Sequence, residues 1–173
     1  MTAEPAPTPI IVAALLGHPD QAWLDGLRRA HFPPDRNHLA AHLTMFHHLP
    51  PSIAADVKRR LTDETRGVPP PRAALAAPYS LGRGVAFRID SAALTAIRYR
   101  LAEAFAGLLT PQDRAAWRPH VTVQNKVEPQ EAKALLTELT QDFRPRPIAI
   151  VGLAAYWYRG GPWAPLSRHM FAP

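Results

Sequence analysis

The sequence predicts an α+β fold, and two observations lead to this prediction. From Ile10 onward, apolar runs rich in β-forming residues alternate with segments of helical periodicity. Each half of the chain has the same order of elements, namely strand, helix, histidine-bearing strand, helix and strand. Since 47% of the 173 residues are apolar, the chain can bury an ordinary core. We therefore expect one bilobal domain over residues 10–173, after a loose tail over residues 1–9 that contains three prolines.

The elements of the first half follow from apolar periodicity and from helix-breaking residues. Asp20 is placed to cap a helix that Pro33 and Pro34 end. Ile53, Val57 and Leu61 recur at spacing four, as on the buried side of a second helix. The sequence predicts strands over residues 10–17, 38–49 and 73–80, and helices over residues 20–30 and 52–65.

The second half begins with a hairpin and contains the longest helix. Gly82 and Gly84 suit a tight reversal, so residues 85–89 should pair back onto the preceding strand. The longest helix, over residues 91–109, has an apolar stripe that runs from Leu94 to Leu108. The remaining predicted elements are strands over residues 120–127, 148–157 and 166–171 and a helix over residues 129–143.

Composition and charge narrow the possible functions. The chain has no cysteine, which excludes disulfides, thiolate metal sites and cysteine nucleophiles. Its 20 basic and 14 acidic residues give a formal charge of +6, which favours phosphate-bearing ligands. The apolar run from Ile10 to Leu16 is too short to cross a bilayer and has no basic segment before it. We therefore expect a cytoplasmic protein with no membrane partner.

Two four-residue segments share one pattern of histidine, apolar, threonine, apolar. They are His42-Leu43-Thr44-Met45 and His120-Val121-Thr122-Val123. Chance would give about 0.1 such segments in this composition, so two copies are far more than chance provides. Because alternate side chains of a strand point to opposite faces, the histidine and threonine of each segment should project together and the apolar residues should pack behind them.

This pair of motifs resembles the 2H phosphoesterases, which include the bacterial 2'-5' RNA ligase or cyclic phosphodiesterase group. The motifs lie 120 − 42 = 78 residues apart, and Leu49-Pro50 and Arg118-Pro119 beside them also look like the family. The resemblance implies a pseudo-twofold, bilobal fold in which two antiparallel sheets line a cleft and helices lie outside. It further implies a nucleotide or RNA phosphodiester as substrate and no metal or other cofactor.

Paired histidines suit the hydrolysis of a 2',3'-cyclic phosphate. One imidazole deprotonates water and the other protonates the departing ribose oxygen, which is possible near neutral pH because an ordinary histidine has a pKa near 6.5. The hydroxyls of Thr44 and Thr122 can donate to the non-bridging phosphate oxygens. Either of His42 and His120 can take either role at this point, and the reverse reaction would join RNA ends.

Other residues near the motifs are candidates for substrate contacts. By strand alternation, Phe46 and Gln124 extend the reactive faces, although Phe46 is equally suited to the core. Arg118 directly precedes the second motif and could meet a phosphate. Three other arginines lie in or beside predicted turns, where they could also meet phosphates: Arg83, Arg88 and Arg159. Three aromatic residues are suited either to stacking on a base or to burial: Trp157, Tyr158 and Trp163.

Two alternatives to this enzyme remain open. The first is a metal-dependent hydrolase, since His38, His42 and His48 share one face of the predicted strand. Against it, a spacing of four places side chains about 13 Å apart on a strand, too far for one zinc ion. A non-catalytic module that holds RNA or nucleotide phosphates in the same cleft is the second alternative. The oligomeric state is open, and a monomer is compatible with the sequence.

Overall fold

The computed structural model describes residues 8–173 and contains eight strands and five α-helices within them. The strands are β1 Ile10–Leu16, β2 Leu43–Leu49, β3 Ala74–Ser80, β4 Val85–Asp90, β5 His120–Gln124, β6 Arg146–Pro147, β7 Ile150–Trp157 and β8 Ala164–Met170. The helices are α1 His18–His31, α2 Ala54–Thr65, α3 Ala92–Ala104, α4 Pro111–Arg114 and α5 Pro129–Gln141. Short 3₁₀ turns occupy Pro34–Arg36 and Pro51–Ile53.

The strands form two four-stranded antiparallel sheets, with the orders β2-β1-β7-β8 and β5-β4-β3-β6. The motif strands β2 and β5 occupy equivalent edges, β1 and β4 lie next to them, and β7 and β3 follow. The two sheets thus have the same plan, and the α+β class and the paired antiparallel sheets are confirmed. The chain builds the first sheet from both of its ends, because β7 and β8 join β1 and β2.

Helices cover the outer faces of the sheets. Phe87 of the second sheet packs between Trp23 of α1 and Phe143 beyond α5, at ring distances of 5.5 and 5.8 Å. Phe46 of the first sheet packs edge-on against Phe105 at the end of α3, at 5.8 Å. Each of α1 and α3 therefore leaves one sheet and contacts the other, which joins the two lobes through a shared core.

The order of elements is as predicted, but several boundaries differ for local reasons. The predicted cap Asp20 lies inside α1, which begins at His18, and its carboxylate accepts a hydrogen bond from Ala149 N at 2.8 Å instead. The helix predicted over residues 91–109 ends at Ala104, and Gly107 then adopts a φ of 84°. The predicted strand over residues 120–127 ends at Gln124, because Lys126 has a left-handed φ of 63°.

The structure bears on the predicted N-terminal tail and on the prediction that no segment crosses a membrane. Residues 1–7 of the predicted tail lie outside the described residues, whereas Pro9 is joined to the first sheet, since its carbonyl accepts a hydrogen bond from Tyr158 N at 2.9 Å. Within residues 8–173, no helix combines the length and the apolar character needed to cross a membrane.

Candidate active site

The two motif histidines are held in the same way. His42 lies immediately before β2, and His120 is the first residue of β5. Nδ1 of His42 lies 2.8 Å from the carbonyl of Ala40, and Nδ1 of His120 lies 2.8 Å from the carbonyl of Arg118. Since a carbonyl oxygen only accepts, both Nδ1 atoms carry the proton and donate it. This leaves the Nε2 of each ring free of protein partners among the described residues, and able to accept or deliver a proton.

The motif threonines lie beside small residues on the neighbouring strands. Thr44 pairs with Ala13 of β1, and Thr122 pairs with Ala86 of β4. Both threonines are partly exposed, whereas the apolar motif residues are fully buried, namely Leu43, Met45, Val121 and Val123. Each threonine therefore lies on the less buried face of its strand.

Each motif strand contains a register shift directly after its threonine. Between the pairs Thr44–Ala13 and Phe46–Val12, β2 advances two residues against one residue of β1. Between Thr122–Ala86 and Gln124–Val85, β5 does the same against β4. Both lobes therefore have a β-bulge at the fourth residue of the motif, Met45 or Val123.

The bulges correct the predictions for Phe46 and Gln124. Phe46 is 0% exposed and packs in the core, and Gln124 is 2% exposed. Each side chain faces the side opposite to its motif threonine, because a bulge breaks the alternation on which the prediction depended. Neither residue lines the cleft, and neither is retained as a substrate-binding residue.

Two buried arginines stabilise the bulged segments. Arg98 of α3 donates from Nε to the carbonyl of Met45 at 2.7 Å, and Arg28 of α1 donates from Nη1 to the carbonyl of Thr122 at 3.0 Å. A bulge leaves a carbonyl out of the strand ladder, so a buried donor satisfies it. Sequence analysis did not identify these arginines. One signal in the sequence could have indicated them: each arginine lies four positions after a leucine of the apolar helix face, Leu24 or Leu94, and so shares that face.

The environment of His42 lowers its pKa to about 4. Burial is the main cause, and the positive charges of Arg28 and His120 lower the pKa further, while the hydrogen bond to Ala40 acts in the opposite direction. The ring also lies 4.7 Å from that of Trp163, edge to face. His42 is therefore unprotonated at neutral pH, the state that a general base needs.

The other histidines of the first strand have structural or exposed positions. His38 and His48 are exposed, and His38 lies outside β2. The ring of His47 lies 3.1 Å from the buried carboxylate of Asp113, which also accepts hydrogen bonds from the main-chain N–H groups of His47 and His48. Among residues 8–173, no three histidine, aspartate or glutamate side chains converge in the arrangement of a metal site.

The arginines and aromatic residues weighed in the sequence lie at different distances from the motifs. Arg83 donates to the carbonyl of Val127, and Arg88 lies 3.3 Å from Asp90. Arg118 is exposed and lies close enough to Tyr79 to lower the pKa of that hydroxyl, although burial outweighs this effect and raises it. The sequence analysis missed Tyr79, whose ring lies 6.2 Å from that of His120. Of the other candidates from the sequence, Arg159 and Tyr158 are exposed and Trp157 is partly buried.

Two cavities flank the histidines. One of about 1140 Å³ is lined by Tyr79, Trp117 and Arg118 on the His120 side. One of about 370 Å³ is lined by His42, Tyr156 and Trp163. His42 lines the smaller cavity, whereas the larger one is lined by Arg118 and Pro119, which directly precede His120.

Comparisons with known proteins identify the family and the fold of the chain. Residues 17–162 match a family model described as the 2'-5' RNA ligase superfamily. The structure of E. coli LigT complexed with 3'-AMP aligns with 96% of this chain and 99% of its own, at 20% identity and a TM-score of 0.59. The structure of E. coli LigT complexed with NADP+ aligns over the same shares of both chains, at 18% identity and a TM-score of 0.60.

A protein from another organism has the same fold. TT0787 of Thermus thermophilus aligns with 94% of this chain and 97% of its own, at 15% identity and a TM-score of 0.62. A comparison with curated protein sequences finds no match. At these identities, the solved structures establish the fold of two antiparallel sheets with helices.

Proposed function

The chain belongs to the 2'-5' RNA ligase superfamily, and from this membership we propose that it hydrolyses 2',3'-cyclic phosphodiesters of nucleotides or RNA ends by paired-histidine catalysis that needs no metal. Membership itself supports an enzyme of the 2H phosphoesterase type. One observation carries the finer proposal: both motif histidines donate Nδ1–H to a main-chain carbonyl two residues back, which leaves Nε2 for the substrate.

We assign the roles of the two histidines from the unprotonated state of His42. As an unprotonated imidazole, His42 accepts a proton from water, whose oxygen forms a new bond to phosphorus. The bond from phosphorus to one ribose oxygen breaks on the opposite side, and His120 protonates that oxygen. Thr44 and Thr122 donate to the non-bridging oxygens as their charge grows. With a 5'-hydroxyl in place of water, the same sequence would form a bond from the 5'-oxygen to phosphorus, break the bond to the 3'-oxygen, which is protonated, and leave a 2'-5' linkage.

The ligand classes of the solved structures support a nucleotide substrate. The LigT complexes contain 3'-AMP and NADP+, which both carry a phosphate on ribose. The formal charge of +6 would favour the same ligands here. A cytoplasmic location, one domain over residues 10–173 and a monomeric state complete the proposal and rest on the sequence alone.

A hydrolysis assay in the presence of a chelator tests the proposal. Purified protein is incubated with adenosine 2',3'-cyclic phosphate and EDTA, and the nucleoside monophosphate is quantified by chromatography. We expect turnover that EDTA does not reduce. A protein that is inert towards this substrate and towards 2'-5' linked oligonucleotides, but that binds 3'-AMP, is instead the non-catalytic binding module.

The low pKa of His42 predicts activity that persists in mild acid. If His42 is the base, kcat/KM falls with decreasing pH only as His42 becomes protonated near pH 4. An ordinary histidine, with a pKa of about 6.5, would already lose about 90% of its base form at pH 5.5. We expect kcat/KM at pH 5.5 to stay within about twofold of its value at pH 6.5. An acid limb centred near pH 6.5 would contradict the assignment of His42 as base.

The motif threonines should act mainly on the chemical step. Thr44→Val and Thr122→Val keep the shape of the side chain and remove the hydroxyl, so we expect each to lower kcat by about 10- to 100-fold with a smaller change in KM. Thr44→Ser and Thr122→Ser, which keep the hydroxyl, are the matched controls and should retain most activity. Equal losses in the valine and serine variants would show that the hydroxyls do not stabilise the transition state.

A further inference from the structure

The two lobes have the same arrangement around their motif histidines, with one difference. Each histidine donates Nδ1–H to a carbonyl two residues back, and each motif threonine pairs with an alanine. The ring of Trp163 lies 4.7 Å from that of His42, at an interplanar angle of 60°. The ring that faces His120 is that of Tyr79, at 6.2 Å. The first histidine therefore has the closer and larger aromatic neighbour.

The chain topology explains the position of Trp163. β7 and β8 form a hairpin in which Trp157 pairs with Ala164, so residues 158–163 are the hairpin loop. Gly160 has a φ of 82°, in the left-handed region that favours glycine, and this lets the loop turn back. Among the described strands, the second sheet has no counterpart of this hairpin, because its fourth strand, β6, follows α5. The indole is thus a feature of the first lobe alone.

The indole of Trp163 also packs against Tyr156 of β7. The two rings lie 5.5 Å apart, and both line, together with His42, the cavity of about 370 Å³. Burial raises the pKa of the Tyr156 hydroxyl, although Arg168 acts in the opposite direction, so the phenol is neutral near pH 7. An indole fixed against an uncharged ring takes the place of water beside the imidazole.

The charged and titratable groups that face His42 belong to other elements than this loop. They are Arg28 and Asp25 of α1, His47 of β2, His120 of β5, Tyr156 of β7 and His38 before β2. The carboxylate of Asp25 accepts hydrogen bonds from the side chain of Gln21 and from Ala41 N. Burial is the largest cause of the low pKa of His42, and the neighbouring charges contribute less. Replacing Trp163 by an uncharged residue leaves all these groups in place, so its effect on His42 is an effect of solvent access.

We propose that Trp163 is a positioning residue for His42: its indole covers one side of the imidazole and keeps bulk water away from it. The inference rests on the proposed function, in which His42 is the base, and it adds the group that keeps this base unprotonated. An imidazole in water gains a proton near pH 6.5, whereas burial beside an apolar ring disfavours the charged form. Removing the indole should therefore return His42 towards the ordinary behaviour of a histidine.

An NMR titration of the imidazoles tests this role without any substrate. Protein with isotope-labelled histidine is titrated from about pH 3.5 to about pH 8, a range that spans the ordinary histidine pKa. The His42 signals are assigned by their absence in His42→Ala. Trp163→Ala, Trp163→Leu and Trp163→Phe retain an increasing part of the apolar cover. Tyr158→Ala, which removes an exposed aromatic ring from the same loop, is the matched control.

The expected result is a graded shift of one histidine. The His42 midpoint should lie near pH 4 in the wild type and above about pH 5 in Trp163→Ala, with Trp163→Leu between them. Trp163→Phe and Tyr158→Ala should stay close to the wild type. Lost packing alone would lower Tm without moving this midpoint. Equal midpoints in the wild type and Trp163→Ala overturn the proposal, and if the alanine variant does not fold, equal midpoints in the wild type and Trp163→Leu do so.

Activity measurements distinguish this inference from the proposed function. If His42 is the base, the acid limb of kcat/KM in Trp163→Ala should move to higher pH by the same amount as the NMR midpoint. A midpoint that rises while the acid limb stays in place supports the cover over His42 and contradicts its role as base. A wild type that hydrolyses no cyclic phosphate refutes the reaction, and the NMR midpoints then decide whether the indole shields His42.

Discussion

Replacing either motif histidine by alanine should lower kcat/KM for adenosine 2',3'-cyclic phosphate by about 10²- to 10⁴-fold. In the proposed mechanism each ring supplies one of two proton transfers, and no other histidine in residues 8–173 donates Nδ1–H to a main-chain carbonyl. Because both transfers belong to one displacement, the double variant should lose little more than either single variant. Steady-state kinetics in EDTA measures these values.

His48→Ala is the matched control for this prediction. His48 lies on the same strand as the first motif, is exposed, and contributes only its main-chain N–H to a hydrogen bond. The variant should retain wild-type activity within about twofold. Thermal unfolding of all variants separates loss of chemistry from loss of fold. If His42→Ala or His120→Ala keeps more than about a third of the activity, paired-histidine catalysis is refuted.

Asp113→Ala should cause a large loss of stability. The carboxylate is 1% exposed and accepts hydrogen bonds from the N–H groups of His47 and His48 and from the ring of His47. Removing it leaves these donors at the end of β2 without their buried partner, at a cost of about 2–4 kcal/mol. For a chain of this length, we expect Tm to fall by about 5–15 °C. Asp63→Ala removes the same charge from an exposed position of α2 and should change Tm little.

The contribution of Asp113 should also depend on pH with a definite sign. Burial alone would raise the pKa of the carboxyl, but the hydrogen bonds from His47 and His48 outweigh burial and lower the pKa below its ordinary value. A carboxylate with a lowered pKa stabilises the fold above the pKa of the unfolded chain, about 3.9, and loses this effect as the pH falls through the folded pKa. The difference in Tm between wild type and Asp113→Ala should therefore be constant above about pH 5 and shrink below pH 4. A difference that grows towards acid would contradict this account.

Much of the fold could be predicted because its signals are local. Apolar periodicity identifies strands and helices, so the order of elements and the hairpin between residues 73–80 and 85–89 agree with the structure. The relative faces of His120, Thr122 and Val121 follow from strand alternation alone. The motif pair could be found for the same reason, since its pattern lies within four consecutive residues.

The features that could not be predicted depend on distant partners. The bulges at Met45 and Val123 are defined by registers with β1 and β4, and no local pattern marks them. The predicted faces of Phe46 and Gln124 were therefore wrong, because each residue directly follows a bulge. Arg28 and Arg98 are buried only because each meets a carbonyl of the opposite lobe, 94 and 53 residues away. Sequence periodicity contains no information about such pairs.

The exchange of strands between the two halves has a consequence for folding during synthesis. β1 pairs along its whole length with β7, from Ile10 with Trp157 to Leu16 with Ile150. A nascent chain that extends only to Gln124 already carries both motif histidines, yet β1 lacks its neighbour β7. Contacts of such high sequence separation fold slowly and leave strand edges exposed. The two motif histidines are translated early, but the first sheet is complete only after β7 and β8 have emerged from the ribosome.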